Sequence, residues 1–216
     1  MRRNLIILGT SGLAREMAML MEAVNSRCCA WHFLGFVGQD ASESGKDLGL
    51  GPVLGDDAWL LGSDLEADLV CGIGHPLVKA KVMQPYLGQT DRFQYPNLIH
   101  PNASMDFRRI DLGRGNCITA GCSFTCDIKA GDFNLFNLNM TVGHDAQIGD
   151  FNVFNPSVNI SGNVSIGHRI LAGTGCQILE GLSVGDDAVL GAGSVIRCHV
   201  AAGATMVGVP AKPLVR

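Results

Sequence analysis

A histidine beside a carboxylate, just past a short apolar step, is the pairing in this chain best suited to moving protons. It stands in Thr141-Val-Gly-His-Asp145, where His144 and Asp145 follow Val142. A neutral imidazole, with an ordinary pKa near ~6.5, takes a proton at neutral pH, and a carboxylate neighbour fixes its tautomer and raises its basicity. That is the chemistry of a general base activating an amine or a hydroxyl. On residue type alone a corner histidine is more often a solvated turn residue, so context has to decide. The other histidines, His32, His75, His100, His168 and His199, carry no such neighbour in sequence.

A second feature suits phosphate. Gly9-Thr-Ser-Gly12 follows the apolar run Asn4-Leu-Ile-Ile-Leu8 and precedes a helical pattern. A turn at a strand-to-helix junction presents backbone N–H groups and the positive end of a helix. It reads equally as a ligand cradle or as chain geometry. The spacing is GxxG, not the GxGxxG dinucleotide fingerprint, and Val37-Gly38-Gln39 places no acid where the second strand ends, which argues against NAD. The eight cysteines form no CxxC pair and read as reduced thiols.

The elements that must hold these residues show in the periodicity. Stepping by six from Leu112 meets Ile118, Phe124, Ala130, Phe136, Val142, Ile148, Phe154, Ile160, Ile166, Ala172, Ile178, Val184, Leu190, Ile196, Ala202 and Gly208, sixteen of the seventeen positions being apolar. A period of six fits neither a helix at about 3.6 nor an alternating strand at about 2. It fits one short strand and one turn per hexad. Gly113, Gly131, Gly149, Gly167, Gly185 and Gly203 recur every 18 residues, so three hexads close one triangular rung and stacked rungs bury a continuous core. Asn116, Asn134 and Asn152 share that spacing and read as a hydrogen-bonded structural ladder. His144 and Gly162 are one 18-residue step apart and are expected to stack on one corner.

The first hundred residues read as a small parallel α/β sheet: strands at Asn4–Leu8, Trp31–Val37 and Asp68–Ile73, with helices at Ala14–Val24 and near Asp57–Leu61. Gln94-Tyr-Pro-Asn-Leu-Ile-His-Pro101 reads as the connection to the repeat. Composition narrows the function classes. A net charge of −4 provides no global basic field for nucleic acid or anionic membrane. No stretch reaches the ~20 apolar residues of a membrane span, and Arg15 and Glu16 cut short the apolar run near the start, so a soluble cytoplasmic protein is expected. Glycine, at 28 of 216 residues, runs well above the usual ~7% and fits regular tight turns.

Hexads such as Ile148-Gly-Asp-Phe-Asn-Val and Ile166-Gly-His-Arg-Ile-Leu resemble those of the left-handed β-helix acyltransferases, which implies a left-handed coil and a homotrimer. The α/β region, the segments His144-Asp-Ala-Gln-Ile-Gly149 and Ile160-Ser-Gly-Asn-Val-Ser-Ile-Gly167, and the ending Val207-Gly-Val-Pro-Ala-Lys212 extend the resemblance over nearly the whole chain. Together they resemble the nucleotide-sugar O- and N-acetyltransferases related to sialic acid O-acetyltransferase and the bacillosamine-pathway N-acetyltransferase. The resemblance implies a Rossmann-like nucleotide-sugar domain over residues 1–98 and a left-handed parallel β-helix over 99–216.

It further implies transfer of acetyl from acetyl-CoA to a nucleotide-linked amino sugar, with His144 as general base, Asp145 as its partner and the Gly162 N–H as oxyanion donor. Acetyl-CoA would lie between neighbouring β-helices near Val153, Gly162, Thr174, Ala192 and Lys212. The nucleotide sugar would meet Gly9, Ser11, Gly12, Leu13, Gly38, Gln39 and Gly74. Val153 and Leu13 stand where some relatives carry histidine, and Gly38-Gln39 where an acidic pair stands. An exocyclic amine of a 4-amino-dideoxy sugar is the expected acceptor. O-acetylation of sialic acid or a sugar hydroxyl is the nearest alternative, and a non-catalytic trimeric binding module a further one. A zinc enzyme of the γ-carbonic anhydrase type would need three histidines, two of them close in sequence, whereas His144 and His168 are one rung plus one face apart; no metal is expected.

Overall fold

The computed structural model describes residues 2–214. The chain divides into two compact units, Met1–Gly74 with Val78–Pro101 and His75–Leu77 with Asn102–Arg216.

The first unit is built on β1 (Arg3–Leu8), α1 (Gly12–Cys28), β2 (Trp31–Gly38), β3 (Val53–Asp56), α2 (Asp57–Gly62), β4 (Ala67–Cys71), α3 (Pro76–Leu87) and β5 (Phe93–Gln94). The five strands are parallel in the order β3-β2-β1-β4-β5. Leu5 to Leu8 are buried throughout, as expected of a central strand covered on both faces. α1 buries Ala14, Met17, Ala18, Leu20 and Met21 on one side and runs longer than its apolar stripe predicts. At the start of α2 the Asp56 side chain accepts a hydrogen bond from the Trp59 N–H at 2.8 Å, a helix cap. The strand β3, the helix α3 and the strand β5 are additions to the elements read from the sequence.

The second unit is a β-helix. Its first face stacks Ile110–Leu112, Ile128–Ala130, Gln147–Ile148, Ser165–Ile166 and Ser183–Val184. The second stacks Cys117–Ile118, Leu135–Phe136, Val153–Phe154, Leu171–Ala172, Val189–Leu190 and Thr205–Val207. The third stacks Ser123–Phe124, Thr141–Val142, Asn159–Ile160, Gln177–Ile178 and Val195–Ile196. Partners such as Phe136 and Phe154, Val142 and Ile160, or Ile148 and Ile166 are parallel and 18 residues apart. Every expected inward residue from Ile118 to Ile196 is buried. A second inward row, two residues earlier in each hexad, adds Cys122, Ile128, Met140, Ala146, Val158, Val164 and Ile170.

The asparagine ladder belongs to that second row. The Asn134 N–H donates to Asn116 Oδ1 at 2.9 Å, the Asn152 N–H to Asn134 Oδ1 at 2.9 Å and the Ile170 N–H to Asn152 Oδ1 at 2.7 Å. These are fully buried amides, tied as a buried polar group must be. One residue per hexad takes the left-handed conformation, among them Asp127, Phe133, Asn139, Asp145, Phe151 and Asn163, which turns the chain sharply at each corner.

The expected register fails at the last coil. Val184 pairs with Val200 and Leu190 with Met206, steps of 16 residues instead of 18. Ala202 is exposed, and Val200 and Met206 fill the core in place of Ala202 and Gly208. The larger side chains close the end of the apolar column better than alanine and glycine would, and the corner after Ile196 shortens to allow it. The antiparallel strand Lys212–Pro213 then covers the free edge of Thr205–Val207. Among the described residues no helix is long and apolar enough to cross a membrane.

Candidate active site

His144 sits at the corner where the third face turns into the first, between Thr141–Val142 and Gln147–Ile148. Its Nδ1 is 2.8 Å from Asp145 Oδ2, so the two neighbours in sequence do meet. The left-handed backbone of Asp145, φ 58°, folds the corner and returns the carboxylate to the ring. With that carboxylate ionised, only the Nδ1–H tautomer makes the bond, and Nε2 is left as an acceptor.

Nε2 lies against Gly162 of the next coil. A methyl group on Gly162 would stand 2.5 Å from that nitrogen, so glycine makes the space the ring occupies. The Asn163 N–H donates to the His144 carbonyl at 2.7 Å, and the Gly181 N–H to that of Gly162 at 3.0 Å, which locks the corner column coil by coil. Among the described residues no protein group accepts from the Gly162 N–H. A methyl group on Gly143 would stand 2.5 Å from the Gly162 nitrogen and cover that donor; glycine leaves it open. The site thus brings together an oriented acceptor nitrogen and an unused backbone donor on successive coils. That arrangement can take a proton and stabilise a nascent oxyanion.

The remaining residues expected near acetyl-CoA lie elsewhere on the β-helix. Thr174 and Ala192 are exposed, one 18-residue step apart, at the corner between the second and third faces. Between the two corners the third face carries an outward polar row, with the Thr141 hydroxyl donating to Asn159 Oδ1 at 2.7 Å and Asn159 Nδ2 to Gln177 Oε1 at 3.1 Å. Val153 is 1% exposed and offers no surface to a ligand. Lys212 is exposed on the terminal antiparallel strand. A shallow groove of about 770 Å³ runs over the first face past Lys129, Gln147 and Ser165, and neither His144 nor Gly162 lines it.

Burial pushes the Cys122 and Cys176 thiols above the ordinary range, which makes them poor nucleophiles. His168 is at a different corner from His144, where its Nδ1 accepts from the Asp150 N–H at 2.9 Å. Among the described residues no group of three or more His, Cys, Asp or Glu side chains is placed to hold a metal ion.

In the first unit, the loops after β1, β2 and β4 meet at the carboxyl end of the sheet, beside the β1–β4 neighbours where strand order reverses. Gly9, at φ 113°, donates its N–H to the Val37 carbonyl at 2.8 Å, and its position requires glycine because a side chain there would be both strained and close to the Gly72 carbonyl. Ser11 begins α1, but its hydroxyl makes no capping bond, and the first turn carries no acidic residue. Leu13 packs beside Gly74, where an added methyl group would be 3.4 Å from its Cδ2. Gly38 ends β2, and Gln39 is exposed.

A carboxylate missed in the sequence enters here. Glu43, on a single turn Ala41–Glu43, folds back over β2, and a methyl group on Gly38 would stand 2.6 Å from its Oε2. The Thr10 hydroxyl is 3.4 and 3.3 Å from its two oxygens. Glu43 comes five positions after Gly38, beyond the end of β2 on a short turn, so no fixed spacing announced it.

No family model and no curated protein matches the chain. Solved structures do. A histidine-to-asparagine variant of perosamine N-acetyltransferase from Caulobacter crescentus, in complex with CoA and GDP-perosamine, is 27% identical with a TM-score of 0.86 over 99% of this chain and 97% of its own. The acetyltransferase domain of PglB from Neisseria gonorrhoeae FA1090 is 28% identical, with a TM-score of 0.86 over 99% of this chain and 100% of its own. WeeI from Acinetobacter baumannii AYE is 27% identical, with a TM-score of 0.83 over 97% of this chain and 99% of its own. The first of these is an N-acetyltransferase in complex with CoA and a GDP-linked sugar, and the second is an acetyltransferase domain.

Proposed function

We propose that this chain is an acetyl-CoA-dependent N-acetyltransferase whose acceptor is an amino sugar carried on a nucleotide, with His144 as general base. The observation that carries the reading is the His144 ring, oriented by Asp145 and stacked on Gly162, in a chain that follows such enzymes from end to end. The amine lone pair forms a bond to the thioester carbonyl carbon while Nε2 of His144 takes the amine proton. The carbonyl oxygen, now anionic, meets the Gly162 N–H. Collapse breaks the C–S bond, the electron pair leaves with sulfur, and the imidazolium returns its proton to the thiolate. No acyl-enzyme is needed.

The first unit serves as a Rossmann-like domain for the nucleotide sugar, dividing from the β-helix near residues 98–99. Its support is the strand order with β1 at the reversal point, next to Gly9, Ser11, Gly12, Leu13, Gly38, Gln39 and Gly74. The β-helix winds left-handed and forms a homotrimer, with acetyl-CoA between neighbouring copies near Gly162, Thr174, Ala192 and Lys212. A groove shared by two copies allows two different corners of the helix to flank one thioester.

The test is thiol release from acetyl-CoA in the presence of GDP- and UDP-linked 4-amino sugars, with the acetyl position read by mass spectrometry. His144→Ala should lower the rate by ~10²–10⁴-fold while the fold persists. Turnover at the wild-type rate by that variant sinks the mechanism. Absence of thiol release with every amino-sugar nucleotide sinks the function.

A further inference from the structure

We infer that Glu43 holds the ribose diol of the acceptor's nucleotide, so that the chain selects a ribonucleoside diphosphate carrier over a 2′-deoxy one. This rests on the reading of the first unit as the nucleotide-sugar site. In a parallel sheet of this connectivity, phosphate belongs at the turn after β1 and a carboxylate at the end of β2 takes the sugar hydroxyls. Here Gly38 and Gln39 stand at that end, and neither is acidic. The chain supplies the carboxylate from further along. The Asp40 side chain accepts from the Ser42 N–H at 2.8 Å and the Glu43 N–H donates to the Asp40 carbonyl at 3.0 Å, and this turn carries Glu43 back over Gly38.

Gly38 has no side chain where the carboxylate lies, since a methyl group 2.6 Å from Oε2 would displace it. The only side chain donating to Glu43 among the described residues is Thr10, through contacts of 3.3 and 3.4 Å that are long for a hydroxyl and a carboxylate. Such a group keeps its acceptor capacity for better-placed donors. Thr10 also fixes which part of a nucleotide comes within reach. It belongs to the turn suited to phosphate, and the ribose is the group bonded directly to that phosphate, so a carboxylate beside Thr10 meets ribose hydroxyls before the base. Two carboxylate oxygens accept from two neighbouring hydroxyls at once. A 2′-deoxy carrier keeps only the 3′-hydroxyl, so one carboxylate oxygen loses its donor while the repulsion of the diphosphate remains.

Titration calorimetry with GDP, UDP and their 2′-deoxy counterparts tests the assignment on the full chain, with Glu43→Gln and Thr10→Val as variants. The wild type should bind at least one ribonucleotide roughly 10- to 100-fold tighter than its 2′-deoxy form. Glu43→Gln should bring that ratio close to one, mainly by weakening the ribonucleotide. Thr10→Val removes the tie to the loop but leaves the carboxylate, and should keep the ratio. A wild-type ratio in Glu43→Gln, or the same collapse in Thr10→Val, would overturn the assignment, because Glu43 would then be only a loop anchor. A wild type that binds none of the four nucleotides overturns the acceptor reading of the first unit itself.

Discussion

Exposed side-chain pairs hold folds together weakly, and the hydrogen-bonded His144–Asp145 is one of them, with side chains 54% and 60% accessible. A pair of that kind contributes about 0–1 kcal/mol, so its effect is on ring orientation and tautomer more than on stability. The consequence is sharpest at Gly162. An alanine there would place its methyl 2.5 Å from Nε2, and the easiest relief is for the exposed imidazole to swing aside. Gly162→Ala should therefore leave the melting temperature within a few degrees and lower kcat/KM by roughly 10²-fold, through a displaced base and a partly covered donor. A variant with near-wild-type kcat/KM would remove Gly162 from the site. The 18-residue step made this stacking legible in advance, because register alone puts residue 162 on residue 144. Contact between His144 and Asp145 was not legible, since neighbours in sequence need not touch. Glu43 was less legible still, because its place depends on an irregular loop.

At the scale of elements, the β-helix is held by rows that repeat from coil to coil. Asn134 both receives and passes on the ladder, and replacing it by alanine strands the Asn152 N–H in a fully buried position. Asn134→Ala should cost roughly 1–3 kcal/mol, seen as a lower denaturation midpoint with activity per folded molecule retained. An unchanged midpoint would mean that the ladder is not a stabilising element. On the outside, Arg169 donates from Nε to Asp187 at 2.6 Å one coil later, and this hydrogen bond holds the Asp187 carboxyl below the usual carboxylate range. A lowered folded pKa adds stability that is present above about pH 4 and fades as pH falls through the folded value. Asp187→Asn, which keeps a residue tolerant of the left-handed backbone, should melt at most about 3 °C lower at neutral pH and converge on the wild type in acid. A constant gap down to acid pH would contradict the pairing.

Elements differ in how openly the sequence declares them. The β-helix faces were readable because each hexad repeats the same inward position, and only the final coil escaped, where a two-residue shortening brings Val200 and Met206 inward. In the first unit, β3 is four residues long and contains Gly55, too short for alternation to show. α3 escaped because Pro85 lies within it and Leu77 and Val78 remain exposed, so its apolar residues make no single stripe.

For the molecule as a whole, the arrangement of corners decides where a complete site can form. His144 and Gly162 occupy one corner and Thr174 and Ala192 another, with the width of the third face between them. If acetyl-CoA is gripped between copies in a closed ring, each site draws its base from one subunit and part of its groove from the next. Two inactive variants should then complement each other. His144→Ala lacks the base but keeps the groove, and Ala192→Arg fills the groove but keeps the base. In randomly mixed trimers about a quarter of the interfaces pair an intact base with an intact groove, and activity should rise toward that share of wild type when the two are refolded or expressed together. Mixed assemblies no more active than either parent would place both corners in one subunit's own site, with the ligand lying along the third face. Native mass spectrometry of the mixture, resolving trimers that contain both kinds of subunit, is the control that subunits have exchanged.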